Sequence, residues 1–379
     1  MRIVIAIVLA LFSLHEMDAS DTCCNDSVTL SADTLTASTD SVTKKKPNFL
    51  KRSLKWVGKA FNHLNAIDTN YIEPQQFPMT VMALSTYTYE TYTLTSKDGQ
   101  SISFGPRGAF KVGPYFGWSV IFLGYTVGFS QISIDTKKVI SLSLYTPALG
   151  FDFFYRRTGG NYRIRGADFG DKVDTRPFED VPFDGLKVAI TGFNIYYIVN
   201  HKRFSSPAAF SQSTCQLKSC GSPIFGIGYT RHSLALDYDA LKQLVKERMP
   251  EQTLSEDLDF NEVKYTDFSL QGGYAYNYVF AKNLLASASL QLALGYKHSW
   301  SDGKGKNIGR IFKDFSFSNF NIDGVGRMAV VWNTSRWYAG TSAIMHLYNY
   351  SKSQFSTRNM FGEVNLYVGL NFGKRKKKK

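Results

Sequence analysis

Residues 283–296, NLLASASLQLALGY, place Leu284, Ala286, Ala288, Leu290, Leu292, Leu294 and Tyr296 at every second position, with mostly small or polar residues between them. A period of two is the period of a β-strand with one apolar and one mixed face. The alternation recurs in Phe193, Ile195, Tyr197 and Val199, in Tyr274, Tyr276, Tyr278 and Phe280, and in Leu366, Val368, Leu370 and Phe372. It predicts twelve strands, at about 78–94, 100–112, 117–130, 138–157, 161–166, 185–200, 222–237, 263–279, 283–299, 313–332, 336–350 and 360–372. The fifth is short as drawn and extends into the loop after it. Most of the others run past ten residues, roughly twice the average globular strand.

Strand length separates two architectures. A soluble sandwich alternates apolar and polar residues too, but covers its apolar faces with a second sheet. A membrane-crossing strand needs about nine to eleven residues. Tight connections at 113–116, 158–160, 280–282 and 333–335 and long ones at 167–184, 238–262 and 300–312 fall on opposite ends if both termini face one side; only 201–221 breaks the rule. Short turns at one end and long loops at the other are the pattern of outer-membrane barrels. In hydrocarbon every backbone N–H and C=O must be paired, which a sheet achieves by closing on itself. The expected fold is therefore all-β: a transmembrane antiparallel up-and-down barrel of about twelve strands with a short N-terminal amphipathic helix, its apolar face toward lipid.

Composition sharpens this picture. Aromatic residues make up 15%, with 22 Tyr and 29 Phe against 5 Trp. After the first dozen residues no apolar run reaches the roughly 18 residues of a spanning helix, which excludes a helical membrane protein. Residues 1–19, with Arg2 ahead of the apolar run Ile3–Leu14 and small Ala19, read as a signal peptide. Residues 20–46 read as a disordered Ser/Thr/Lys-rich arm, 47–66 as a basic amphipathic helix, 67–373 as the barrel and 374–379, KRKKKK, as a basic tail. The net charge is +13, with six positive charges in that tail. An exported chain meets no nucleic acid, so the expected partners are outer-membrane lipid and lipopolysaccharide, together with the barrel-insertion machinery. Cys215 and Cys220, in CQLKSC, are spaced to close a small disulfide loop in an oxidising compartment.

The chain from about Asp68 to Gly373 resembles domain-of-unknown-function family 4421, a set of exported Bacteroidetes proteins. DTNYIEP at 68–74, GPYFGW at 113–118, VPFDGL at 181–186, GFNIYYIVNHKRFSSPAAFSQSTC at 192–215, GGYAYNYVFA at 272–281 and NFNIDGVGR at 319–327 carry the resemblance. It implies an outer-membrane-barrel-like fold, in the outer membrane of a Gram-negative bacterium, and brings no catalytic residues or ligand.

Strand parity turns Asp152, Arg156, Arg163, Arg165, Asp323 and Arg327 inward, because an Arg facing lipid near the midplane costs about 2–4 kcal/mol. Such charges serve as a constriction selecting anionic solutes or as a salt-bridged network that fills the barrel; the network is the favoured reading, and any small solute is unidentified. The favoured role is a narrow pore or a structural and binding element, with no catalytic, cofactor or metal residues. One alternative is a barrel hydrolase or acyltransferase acting on lipid. It needs a partner from another strand for His232 or His346, since neighbours such as His232 and Ser233 point to opposite faces. The other alternative is a secreted soluble β-protein. The 201–221 connection could fold into the lumen, and the loop 238–262 over its mouth.

Overall fold

A computed structural model describes residues 63–106, 108–118, 121–124, 127–128, 138–170, 173–299, 319–351 and 354–373. The expected signal peptide, arm and basic tail, and the amphipathic helix up to residue 62, lie outside the described residues. The alternating segments form antiparallel strands. The first half of the chain gives β1 (Ile72–Pro74), β2 (Met79–Ser96), β3 (Ser101–Pro106), β4 (Ala109–Trp118), β5 (Ile121–Gly124), β6 (Val127–Gly128), β7 (Lys138–Tyr145), β8 (Leu149–Gly159) and β9 (Tyr162–Asp168). The second half gives β10 (Val181–Phe183), β11 (Leu186–Ile198), β12 (Thr214–Gln216), β13 (Cys220–Leu236), β14 (Glu262–Ala281), β15 (Leu284–Ser299), β16 (Phe320–Asn333), β17 (Trp337–Ser351) and β18 (Phe355–Phe372). Between strands of the described residues lie the α-helices α1 (Ser206–Phe210) and α2 (Tyr238–Arg248).

β1 and β12 form a small sheet of their own, and the other strands form one 16-stranded sheet. Its path runs from β7 through β8, β11 and β13 to β18 in order, then to β2. β18 lies along β2 from Phe355↔Ser96 to Phe372↔Met79, so the first and last long strands are neighbours. Beyond β2 the sheet divides: the upper half of β2 pairs with β3, β9 and β10 in turn, the lower half with β4 and its short partners β5 and β6. The wall curls into a barrel. Side chains on strands far apart along the sheet meet inside it: Arg327 of β16 reaches Asp152 of β8, and Arg156 of β8 reaches Glu90 of β2 at 3.3 Å.

Twelve strands become sixteen in the main sheet because several predicted strands are hairpins or breaks. The expected strand 138–157 is the β7–β8 hairpin, turning at Thr146-Pro147-Ala148. Proline lacks a ladder donor, and the Thr146 hydroxyl accepts the Leu149 N–H at 3.0 Å to close the turn. Residues 100–112 likewise divide between β3 and β4. Two glycines admit aromatic rings from the next strand: Tyr196 lies over Gly150, and Tyr338 over Gly369, where a Cβ would collide with the ring. Rings packed on glycine in this way pin strand register.

Candidate functional site

The inward positions of the strands build a charged middle layer. Arg327 and Lys297 are 2% exposed, and each has one carboxylate partner: Asp152 for Arg327 and Asp323, at 2.8 Å, for Lys297. Arg156 pairs with Glu90, which also accepts a hydrogen bond from the Tyr162 hydroxyl at 2.7 Å. Asp152 further accepts from Ser143 at 2.7 Å, and the guanidinium groups of Arg327 and Arg156 lie over Tyr196 and Phe361. A fourth buried carboxylate, Asp267, stands opposite Lys297 in the β14–β15 ladder. Neither of its oxygens has a hydrogen-bond partner among the described residues. Asp267 and Asp323 converge over Gly295, where a Cβ would stand 2.6 Å from one carboxylate and 3.0 Å from the other.

Of the six charged residues expected inside, Asp152, Arg156, Asp323 and Arg327 are buried there. Arg163 and Arg165 are not. In β9 it is Tyr162 and Ile164 that turn inward, onto an apolar cluster, so alternation puts the two arginines on the other face. There both bind the Asp180 carboxylate, at 2.7 and 2.8 Å. Glu90, Lys297 and Asp267 were not singled out in the sequence. The signal was present: each shares the parity of its strand's inward residues, as Glu90 does with Thr88, Tyr92 and Leu94.

Chain segments stopper the barrel above and below this layer. At the long-loop end α2 begins on an Asp237 cap, whose side chain accepts the Ala240 N–H, and buries Tyr238, Leu241 and Val245. These join Leu254 and Leu258 in a cluster with Tyr265, Tyr350 and Phe355 from the wall. Gln100 fastens the loop to the β2–β3 turn, donating to the Thr253 carbonyl at 3.1 Å and accepting the Ser255 N–H at 2.9 Å. At the short-turn end the 201–221 connection enters the lumen. Ala208 and Ala209 of α1 pack on inward Leu285, Val331, Tyr338 and Tyr367 of four different strands. Asn277 donates to the Ser205 carbonyl at 2.9 Å and to Gln216 at 3.0 Å, and Gln212 donates to the Tyr367 hydroxyl at 2.8 Å. Cavities of about 10 and 30 Å³ lie beside Arg327 and beside the Asp152 and Arg156 side chains. Each is room for a water or two.

The expected disulfide is absent. Cys215 and Cys220 are free thiols. β1 pairs with β12 and holds Cys215 opposite Glu73, with its sulfur 3.6 Å from the Ser335 hydroxyl, while Cys220 opens β13, where Asn200 donates to its sulfur at 3.2 Å. Burial pushes the Cys215 thiol up from its ordinary pKa. His232 and His346 are packed in aromatic surroundings. His232 stacks on Tyr265 at 4.5 Å and shares a hydrogen bond with Thr230, and His346 lies among Phe154, Tyr348 and Phe361. Ser233, next to His232, donates instead to Glu262.

The outward face inverts a soluble protein's pattern. Leu270 is 69% exposed, Met328 67%, Ile322 65% and Leu290 60%. On β15 the outward positions Leu284 to Leu294 span ten residue steps, about 33 Å along the strand and about 25 Å high at a barrel's usual tilt. An outward row of aromatic residues crosses six strands at one edge of this band, Phe153, Phe193, Tyr229, Phe268, Tyr296 and Phe320, each paired in register with the next. At the opposite edge Tyr278, Phe280, Trp332 and Trp337 are exposed. No described helix is long and apolar enough to cross a membrane.

A family model, domain of unknown function DUF4421, matches residues 66–372, and the chain belongs to that family. No curated protein matches it significantly. Among solved structures it is similar to the outer membrane protease OmpT from Escherichia coli, with 8% identity, 81% of this chain and 98% of that chain covered, and a TM-score of 0.32. It is similar also to the outer membrane protein OprG from Pseudomonas aeruginosa (7% identity, 79% and 98% covered, TM-score 0.22) and to the P. putida toluene transporter TodX (9%, 79% and 91%, 0.18). At such scores none of them lends this chain an activity.

Proposed function

We propose that this member of the family is an integral outer-membrane barrel of a Gram-negative bacterium, exported under its N-terminal segment and acting as a stoppered structural and binding element rather than as an open pore or an enzyme. The observation that carries the reading is the uncovered apolar band. Water would leave those leucines unpaid by any partner, and contiguous exposed apolar surface of this extent marks a membrane or an interface. Its height matches a bilayer's hydrocarbon core, and aromatic residues border it at both edges.

The interior supports the second half of the proposal. Ion pairs occupy the middle layer, and the cavities beside Arg327 and Asp152 have room for a water or two. His232 and His346, the bases that the hydrolase alternative called on, are committed to ring packing. The test combines carbonate extraction of membranes with gel migration before and after heating. A barrel stays in the pellet and shifts on heating. A soluble, heat-insensitive monomer would overturn the membrane reading. Planar-bilayer recording of the purified protein should show no steady conductance, and a solute-sized conductance would overturn the stoppered reading alone.

A further inference from the structure

The short-turn end carries a patch that the membrane reading above does not by itself explain. The β14–β15 turn holds Lys282 and the β16–β17 turn holds Arg336, both exposed. The Asn333 N–H donates to the Asn283 carbonyl at 2.9 Å and links the two turns, and the Asn371 N–H of β18 donates to the Arg336 carbonyl at 2.7 Å. The two cations are thereby fixed on neighbouring hairpins.

Among the described residues neither cation is in an ion pair, although Glu73 of β1, opposite Cys215, lies at this end as well. Residues 268–299, 324–351 and 364–373 contain neither Asp nor Glu. Gly373, the last described residue, follows Phe372, which pairs with Met79 at this same rim, and the next six residues are all Lys or Arg. The charge here asks for an anion from outside the chain.

The outward face next to these turns has a matching relief. Trp332, Val330 and Met328 of β16 form a ridge. On one side the β15 positions in register with it are Ala288, Ala286 and Leu284, with the tyrosines of β14 beyond. On the other side lie Ala339, Thr341 and Ala343 of β17, with Val368, Leu366 and Val364 of β18 beyond. The two troughs are two strands apart, about 10 Å; the first ends at Leu284 beside the Lys282 turn, the second at the exposed Trp337 beside Arg336.

We infer that this rim binds one anionic diacyl phospholipid, its phosphate held between Lys282 and Arg336 and its two acyl chains laid on either side of the Trp332–Val330–Met328 ridge. This rests on the membrane reading. A zwitterionic headgroup also brings a phosphate, but its own cation competes with Lys282 and Arg336 for it, so a net-anionic headgroup is preferred. Indole and phenol groups at the headgroup level, on Trp332, Trp337 and Tyr278, set the depth at which the phosphate meets the turns.

The test offers phosphatidylglycerol, phosphatidylcholine and lipid A separately to the purified full-length protein in detergent, and counts retained lipid by native mass spectrometry. Wild type should retain one phosphatidylglycerol in preference to phosphatidylcholine. Lys282→Gln with Arg336→Gln should lower that retention about thirtyfold, from about fivefold per cation near a lipid surface. Lys282→Arg with Arg336→Lys should keep it. The heat-induced gel shift should be the same in every variant. Equal retention of the two phospholipids by wild type overturns the inference. So does undiminished retention by the glutamine double variant, which would assign the lipid to the basic tail, or displacement of phosphatidylglycerol by lipid A. A wild type that shows no gel shift and stays soluble would instead overturn the membrane reading.

Discussion

Removing the Arg327 side chain tests the filled interior directly. Arg327→Met conserves length and apolar packing over Tyr196 but deletes the one cation paired with Asp152 among the described residues, and both residues are almost fully buried. Breaking a buried pair from one side costs about 3–5 kcal/mol because the remaining charge is left uncompensated. Here the lower part of that range is expected. Asp152 keeps the Ser143 hydroxyl as a donor, and the Arg327 Nε and Nη1 atoms have no partner to lose among the described residues. A loss of about 3 kcal/mol is a fall of more than a hundredfold in the folded-to-unfolded ratio. Arg327→Met combined with Asp152→Asn removes both charges together and should lie within about 1 kcal/mol of wild type, since replacing a buried pair whole is often nearly neutral. The assay is urea unfolding of the detergent-refolded barrel, followed by the heat-sensitive gel shift, for both single variants and the double. The coupling between the two positions should be about 2 kcal/mol or more. Singles that each cost less than about 0.5 kcal/mol, and simply add, would mean that the two groups are hydrated and that β16 and β8 do not meet.

Three further outcomes follow from other parts of the structure. Leu290→Arg, at a position 60% exposed, should destabilise the inserted barrel by about 2–4 kcal/mol; the same change on a water-facing surface would stay within about 0.5 kcal/mol, so a neutral result in refolding into lipid vesicles refutes the lipid-facing assignment. Asp267→Asn should raise the unfolding midpoint by the equivalent of about 1 kcal/mol or more, since Asp267 is buried with no hydrogen bond to either oxygen among the described residues; a lower midpoint in the same urea assay would show that Asp267 has a partner. With Cys23, Cys24 and Cys220 changed to Ser, Cys215 should react with iodoacetamide more slowly than a free cysteine at neutral pH. Its rate should climb through alkaline pH as the buried thiol ionises, because a raised pKa leaves less thiolate at a given pH. Rapid alkylation at neutral pH, read by intact mass, would place the thiol in open water.

The barrel was legible in the sequence where one face is uniformly apolar. Leu284 to Tyr296 could be assigned side by side because lipid-facing and inward residues differ at nearly every step. The phase was lost where that contrast fails. In YRIRG both alternatives offer a plausible inward set, and what decides it is the aromatic cluster built from β2, β3 and the loops, which no local window contains. The β7–β8 hairpin was signalled by Pro147, but the apolar alternation runs on either side of the turn and hides it. Partners such as Glu90 for Arg156 lie 66 positions apart, and only the curl of the sheet joins them. The CQLKSC spacing suggested a covalent loop, whereas pairing of β1 with β12 gives Cys215 a different set of neighbours.

The lower stopper comes from the connection between β11 and β13, while the seam from β18 to β2 joins the first and last long strands. A cork cut from the middle of the chain packs against β15, β16, β17 and β18, all later in the sequence, so that part of the wall has to form around a segment that precedes it. A bulky tag spliced into 206–210 should therefore jam assembly itself, leaving unsealed chains, whereas the same tag on the outer loops travels harmlessly.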